Sequence, residues 1–171
     1  LTNRVNYDTI FNDHADHQNC SSASYIQDVM ILAQAIELND PKIIEQAIIR
    51  LTLHEVGHTL GLNHNFKGSY LHDIDSVHNP EITSKTGVTA SVMEYPAINL
   101  APLDVEQGDY YDTIPGPYDI WAIKYGYTQD LSESELDEII SEQNKPEHMF
   151  ANDSEDMRSP GRGIDPRAMI N

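Results

Sequence analysis

The stretch HEVGHTLGLNH, residues 54–64, decides how the rest of the chain is read. It ends a segment, 41–61, whose apolar spacing predicts a buried helix, opened by Asp40 and Pro41 and stopped by Gly61. Ala47, Leu51, His54 and His58 fall on one stripe of that helix at steps of four, three and four. His54 and His58 therefore project to the same side, one turn apart, at a separation that two ligands of one ion can bridge. A helix continued to His64 would point that ring elsewhere. Gly61 tolerates the positive φ of a sharp bend, so the chain can swing back and present a third imidazole.

Three imidazoles suit Zn²⁺, which takes four nitrogen, oxygen or sulfur ligands and in catalytic sites keeps one position for water. Glu55, beside His54, is placed to take a proton from that water without being a ligand. His54, His58 and His64 are thus the expected metal ligands of one catalytic zinc ion, and Glu55 the expected general base.

The remaining composition narrows the options. The chain has 171 residues, 39% of them hydrophobic, with 28 Asp and Glu against 10 Lys and Arg. This acidity disfavours a nucleic-acid binder, which needs a basic patch. No apolar run is long enough to span a membrane. Two acidic stretches, HDIDSVHNPE (72–81) and DVEQGDYYD (104–112), carry oxygen ligands for calcium, although neither has the spacing of an EF-hand loop. Cys20 is the single cysteine. It forms neither a disulfide nor a CxxC pair, and with His14 and His17 nearby it is either a nucleophile or an ordinary packed thiol. His72, His78 and His148 read as surface or loop histidines, with His72 and His78 positioned to contact a substrate.

Along the chain, 1–20 reads as irregular and 21–38 as an amphipathic helix through Ile26, Val29, Met30, Ala33 and Ile36. Residues 62–114 read as loop, with one short strand at GVTASVM (87–93). GPYDIWAIKYGY (116–127) reads as a short helix closed by Gly126, and SESELDEII (132–140) as a helix with a Ser132–Glu135 capping box and an apolar face of Leu136, Ile139 and Ile140. The segment 143–171 reads as an irregular tail. No domain boundary is expected within 1–171, and a chain that begins at Leu1 reads as a piece of a longer protein.

HEVGHTLGLNH followed by SVMEYP (91–96) resembles the metzincin zinc peptidases, whose extended histidine motif precedes a Met-turn. The resemblance implies that Met93 floors the zinc site. SVMEY also resembles the S-x-M-x-Y of astacins and serralysins, which implies that Tyr95 is a displaceable zinc ligand that helps stabilise the oxyanion. With GPYDIWAIKYGY and DPRAM (165–169), the motifs resemble the large zinc-dependent metalloproteases common in Bacteroidetes. The fold this implies is mainly α with long loops, a metzincin-like catalytic domain lacking most of the N-terminal twisted sheet. Asn65 departs from the proline that many serralysins place there. The implied function is a zinc endopeptidase acting on protein or peptide substrates, in an extracytoplasmic parent that is periplasmic, surface-attached or secreted. Two other readings stand beside it: a non-catalytic, zinc-stabilised binding module, and a metal-dependent hydrolase of non-peptide substrates.

Overall fold

The computed structural model describes residues 40–152. The amphipathic segment 21–38, Cys20 with its neighbouring histidines, and DPRAM lie outside them. The described residues belong to the unit Pro41–Asn171, apart from Asp40, and that unit is described by itself.

Among the described residues four α-helices occur: α1 (Pro41–Thr59), α2 (Pro80–Thr86), α3 (Pro117–Tyr127) and α4 (Glu133–Ser141). No strand occurs among the described residues, so the architecture is helical with long connections, as expected. Helix α1 begins at Pro41, as its sequence predicts, and stops at Thr59, two residues short of Gly61. Its end is a Schellman arrangement. Leu62 N donates to Gly57 O at 3.0 Å, Gly61 N donates to His58 O at 3.0 Å, and Gly61 takes φ +84°.

The expected stripe on α1 needs correction. The face turned to the rest of the unit is Ile43, Gln46, Arg50, His54 and Gly57, and Leu51 is exposed together with Ile44 and Ile48. The reason is hydrogen bonding. The segments that pack on α1 are irregular, and their backbone groups need polar partners that a leucine cannot supply. Gln46 Oε1 accepts from Tyr110 N at 2.7 Å and its Nε2 donates to Asp109 Oδ1 at 2.6 Å. Arg50 Nη2 donates to Glu94 O and His54 Nδ1 to Val92 O.

The strand expected at 87–93 is absent for a related reason. Three of its amides go to carboxylates instead of a neighbouring strand. Val88 N and Thr89 N donate to Asp112 Oδ1 at 2.6 and 2.9 Å, and Val92 N donates to Asp119 Oδ2 at 2.9 Å. Burial raises both carboxyl groups from their ordinary values, Asp112 to about 6.

Helix α2 lies where only loop was expected. Asn79 caps it by accepting from Glu81 N, Pro80 opens it, and Gly87 at φ +82° ends it. Helix α3 runs through Gly126 to Tyr127, so that glycine does not close it. The capping box of α4 forms as expected, with Ser132 N donating to Glu135 Oε2 at 2.8 Å and Ile139 buried on the apolar face. Trp121 Nε1 joins α3 to α4 by donating to Ile139 O at 2.8 Å.

The segment expected to be an irregular tail is packed as far as it is described. Two short 3-10 turns, Glu142–Asn144 and Pro146–His148, place His148 against Trp121 with ring centroids 5.0 Å apart. Ala151 is fully buried against Phe66. The two acidic stretches gather no metal-binding cluster. Asp109 and Asp112 spend their oxygens on Gln46, Thr83, Val88 and Thr89, and Asp73 accepts from Ser76 N.

Asp119 ties the start of α3 to the 91–92 segment with three bonds, accepting from Ser91 Oγ at 2.6 Å, Val92 N at 2.9 Å and Gly116 N at 2.9 Å. Asp119→Ala leaves buried donors unpaired and is expected to cost about 3 kcal/mol. Urea unfolding of the variant measures this, and a loss below about 1 kcal/mol would show that water or a neighbour replaces the carboxylate.

Candidate metal centre

The three histidines of the motif meet. One ring nitrogen from each of His54, His58 and His64 lies within 4.8 Å of the other two, and among the described residues this is the one cluster of His, Cys, Asp or Glu able to hold a metal ion. His58 Nε2 is 3.1 Å from His64 Nε2, and the His54 and His58 rings stand edge to face with centroids 4.8 Å apart.

Local structure fixes which nitrogen each ring offers. A carbonyl oxygen can only accept, so a ring nitrogen beside one must carry the proton. His54 Nδ1 donates to Val92 O at 2.8 Å, and His58 Nδ1 donates to Leu62 O at 3.0 Å. Each leaves Nε2 as a lone pair aimed at the cluster. Carbonyls in this supporting position orient metal-binding histidines. The Schellman turn at Gly61 therefore serves two ligands: it swings His64 back, and it brings the Leu62 carbonyl under His58.

His54 Nε2 is buried and has no hydrogen-bond partner. A buried polar atom without a partner is costly, and a metal ion would remove that cost. Burial, with lesser contributions from Arg50, His58 and His64, lowers the His54 pKa from 6.5 to about 3, against the opposing bond to Val92 O. The ring is thus held in the neutral form a metal requires. Three converging imidazoles, two of them oriented by carbonyls, fit zinc.

Tyr95 lies at the edge of the cluster, its Oη 2.8 Å from His64 Nε2 and its ring centroid 4.9 Å from that of His54. Glu55 is exposed on α1. Met93 is fully buried, in a turn closed by Glu94 N donating to Ser91 O. Its carbonyl accepts from Asn65 N at 3.1 Å, and its Sδ packs where a Cβ on Gly57 would stand. Gly57 is thus as necessary between the two histidines as Gly61 is after them.

Several supporting residues escaped the sequence reading. Asn65, noted there only as a departure, is fully buried; its Oδ1 accepts from Lys67 N and Ala151 N, and its Nδ2 donates to Met149 O at 3.0 Å. Glu94 is also fully buried, accepting from Tyr95 N and Ser69 N, and burial raises its pKa to about 7. The sequence signal for both was faint: polar residues directly beside motif positions. His72 and His78 are elsewhere, His72 Nε2 donating to Gly87 O at 2.9 Å.

Two outcomes are expected. Gly57→Ala drives a methyl group into buried Met93 and should cost about 1–3 kcal/mol, with weaker zinc retention. Thermal unfolding and chelator competition measure it, and an unchanged midpoint would mean Met93 has room to move. In the zinc-free protein, NMR should find the His54 ring neutral well below pH 6. Because the folded pKa is depressed, the stability this group contributes is present above about pH 6.5 and is lost as pH falls toward about 3. Raised Glu94 and Asp112 act in the opposite sense, so the His54 resonances themselves are the readout. Protonation of that ring near pH 6.5 would contradict its burial.

Among known proteins, the model of the Met-zincin family matches residues 37–170. No curated protein and no solved structure matches the chain. The family match spans the histidine motif, the turn at Met93 and all four helices. The chain belongs to the Met-zincin family.

Proposed function

We propose that the protein is a zinc endopeptidase acting on protein or peptide substrates, and the observation that carries the proposal is the convergence of three histidines, two of them oriented by backbone carbonyls, beside an exposed glutamate. His54, His58 and His64 would hold the ion. Bound there, zinc supplies Lewis acidity and an activated water at neutral pH.

The chain's own groups do the rest. Glu55 takes the proton of the attacking water as it adds to the scissile carbonyl carbon. It returns a proton to the amine nitrogen as the C–N bond breaks. Exposure keeps Glu55 open to water and substrate. The Tyr95 hydroxyl donates to the carbonyl oxygen as that oxygen gains charge. Met93 packs under α1 between the two helical histidines, and the Met93 carbonyl holds the loop of the third.

Tyr95 also supplies the observation favouring the alternative, a non-catalytic zinc-stapled binding module. Its oxygen lies beside the triad, where a fourth protein ligand would close the site. Glu55 weighs against that reading, since a closed structural site has no use for a base. We place the parent protein outside the cytoplasm on the family resemblance; among the described residues, no helix is long and apolar enough to cross a membrane.

Glu55→Gln should keep about one zinc per chain and lower peptide hydrolysis by about a hundredfold or more. Metal analysis with a peptide-cleavage assay on the full-length protein measures both. Wild-type hydrolysis by this variant would refute Glu55 as base. No hydrolysis by the wild type, together with a fourth protein ligand in the zinc coordination shell, would establish the binding module.

A further inference from the structure

Arg50 is a charged residue in the wrong place for packing alone. It is 3% exposed, on the inner face of α1, one turn before His54. Burying a guanidinium is costly unless its charge and donors are used. Part of the return is electrostatic, since the carboxylates of Glu94 and Asp112 lie close enough to feel its charge. Arg50 is also directed at one short stretch. Arg50 Nη2 donates to Glu94 O at 2.5 Å, and the guanidinium carbon stands 5.5 Å from the centre of the Tyr95 ring. That distance is within the range of a cation–π contact.

Tyr95 meets the histidines directly, its ring centroid 4.9 Å from that of His54 on α1 and its hydroxyl 2.8 Å from His64 Nε2. It follows a tight turn on irregular backbone, and it is half-buried. Its amide is tied to the side chain of its own neighbour, Glu94. Its ring meets Phe66, with centroids 6.0 Å apart, and Phe66 belongs to the loop of the third histidine and not to α1. Arg50 adds a tie from α1 to both the backbone before Tyr95 and the Tyr95 ring. Helix α1 carries His54 and His58 as a rigid unit, and Arg50 extends the same helix to the backbone and the ring of residues 94–95.

We propose that Arg50 is a positioning residue for the Tyr95 phenol, fixing it relative to the two helical histidines so that its hydroxyl is in place when the substrate carbonyl gains charge. The proposal rests on the reading of the site as a zinc peptidase in which Tyr95 meets the substrate. It assigns Arg50 no contact with substrate or metal. Zinc, held by the three histidines, should remain when Arg50 is removed, and the loss should appear in turnover.

The test is a double-mutant cycle in the full-length zinc-loaded protein, using a quenched fluorescent peptide that the wild type cleaves. Tyr95→Phe should lower kcat about a hundredfold, and Arg50→Met about tenfold with KM within about twofold. In the Tyr95→Phe background, Arg50→Met should cost less than about twofold more, because the phenol through which it acts is gone. A second readout needs neither metal nor activity. In zinc-free protein labelled with fluorotyrosine, the resonance that Tyr95→Phe deletes should shift or broaden in Arg50→Met.

An equal tenfold loss in both backgrounds, or an unmoved Tyr95 resonance, overturns the proposal and leaves Arg50 a structural residue. Full activity of Tyr95→Phe also overturns it, while the peptidase reading is judged separately by Glu55→Gln. If Arg50→Met does not fold, Arg50→Lys carries the cycle. It keeps a cation and one donor but loses the planar contact, so it should lower kcat about threefold only while Tyr95 is present. The same loss in the Tyr95→Phe background would refute the proposal.

Discussion

Buried backbone that belongs to no helix or sheet must still find hydrogen-bond partners, and the rest of this unit follows from how it does so. Residues 87–95 pass beneath the metal centre without regular structure. Many of their amides and carbonyls are met by side chains: Asp112 at Val88 and Thr89, Asp119 at Val92, His54 at the Val92 carbonyl, Arg50 at the Glu94 carbonyl. These side chains come from three parts of the chain. The turn that carries Met93 is therefore held from α1, from the 109–112 loop and from the start of α3 together.

This arrangement has an electrostatic consequence. Glu94, Asp112 and Asp119 are buried carboxyl groups whose pKa values are raised by desolvation. They stand around one buried guanidinium and three histidines. The interior near the site is thus unusually polar for so small a unit, and its order depends on directional bonds more than on apolar area. Such networks specify one geometry when every member is satisfied, which suits a floor that must keep three ligands in register.

The metal centre was legible because its chemistry is local. Two histidines at i and i+4 share a helix face, and a glycine three residues later licenses the bend, so His54, His58, Gly61 and His64 could be placed from spacing alone. The α4 capping box was legible for the same reason. The supporting shell was not, because Gln46 and Arg50 look like solvated residues on an apolar helix and reveal their burial only through partners 44 to 64 residues away. The strand expected at 87–93 failed on the same point. Its composition is that of a strand, and what decides its path is a set of distant carboxylates. Helix α2 could have been found, since Asn79, Pro80 and Gly87 are local signals; the loop-like composition around them masked it.

The closure of the third ligand's loop also bears on the order of assembly. Asn65 and Phe66, directly after His64, are bonded to residues 149–151 through Met149 O, Ala151 N and Ala151 O. That pairing spans 84 to 86 positions of sequence for the side-chain bonds. A nascent chain emerging from its N-terminus can form α1, with His54 and His58, early. The last imbalance among the donors of the His64 loop is relieved only when residue 151 has been synthesised and has returned to it. The final geometry of all three histidines is thus reached late, set by a long-range closure of the kind that slows folding.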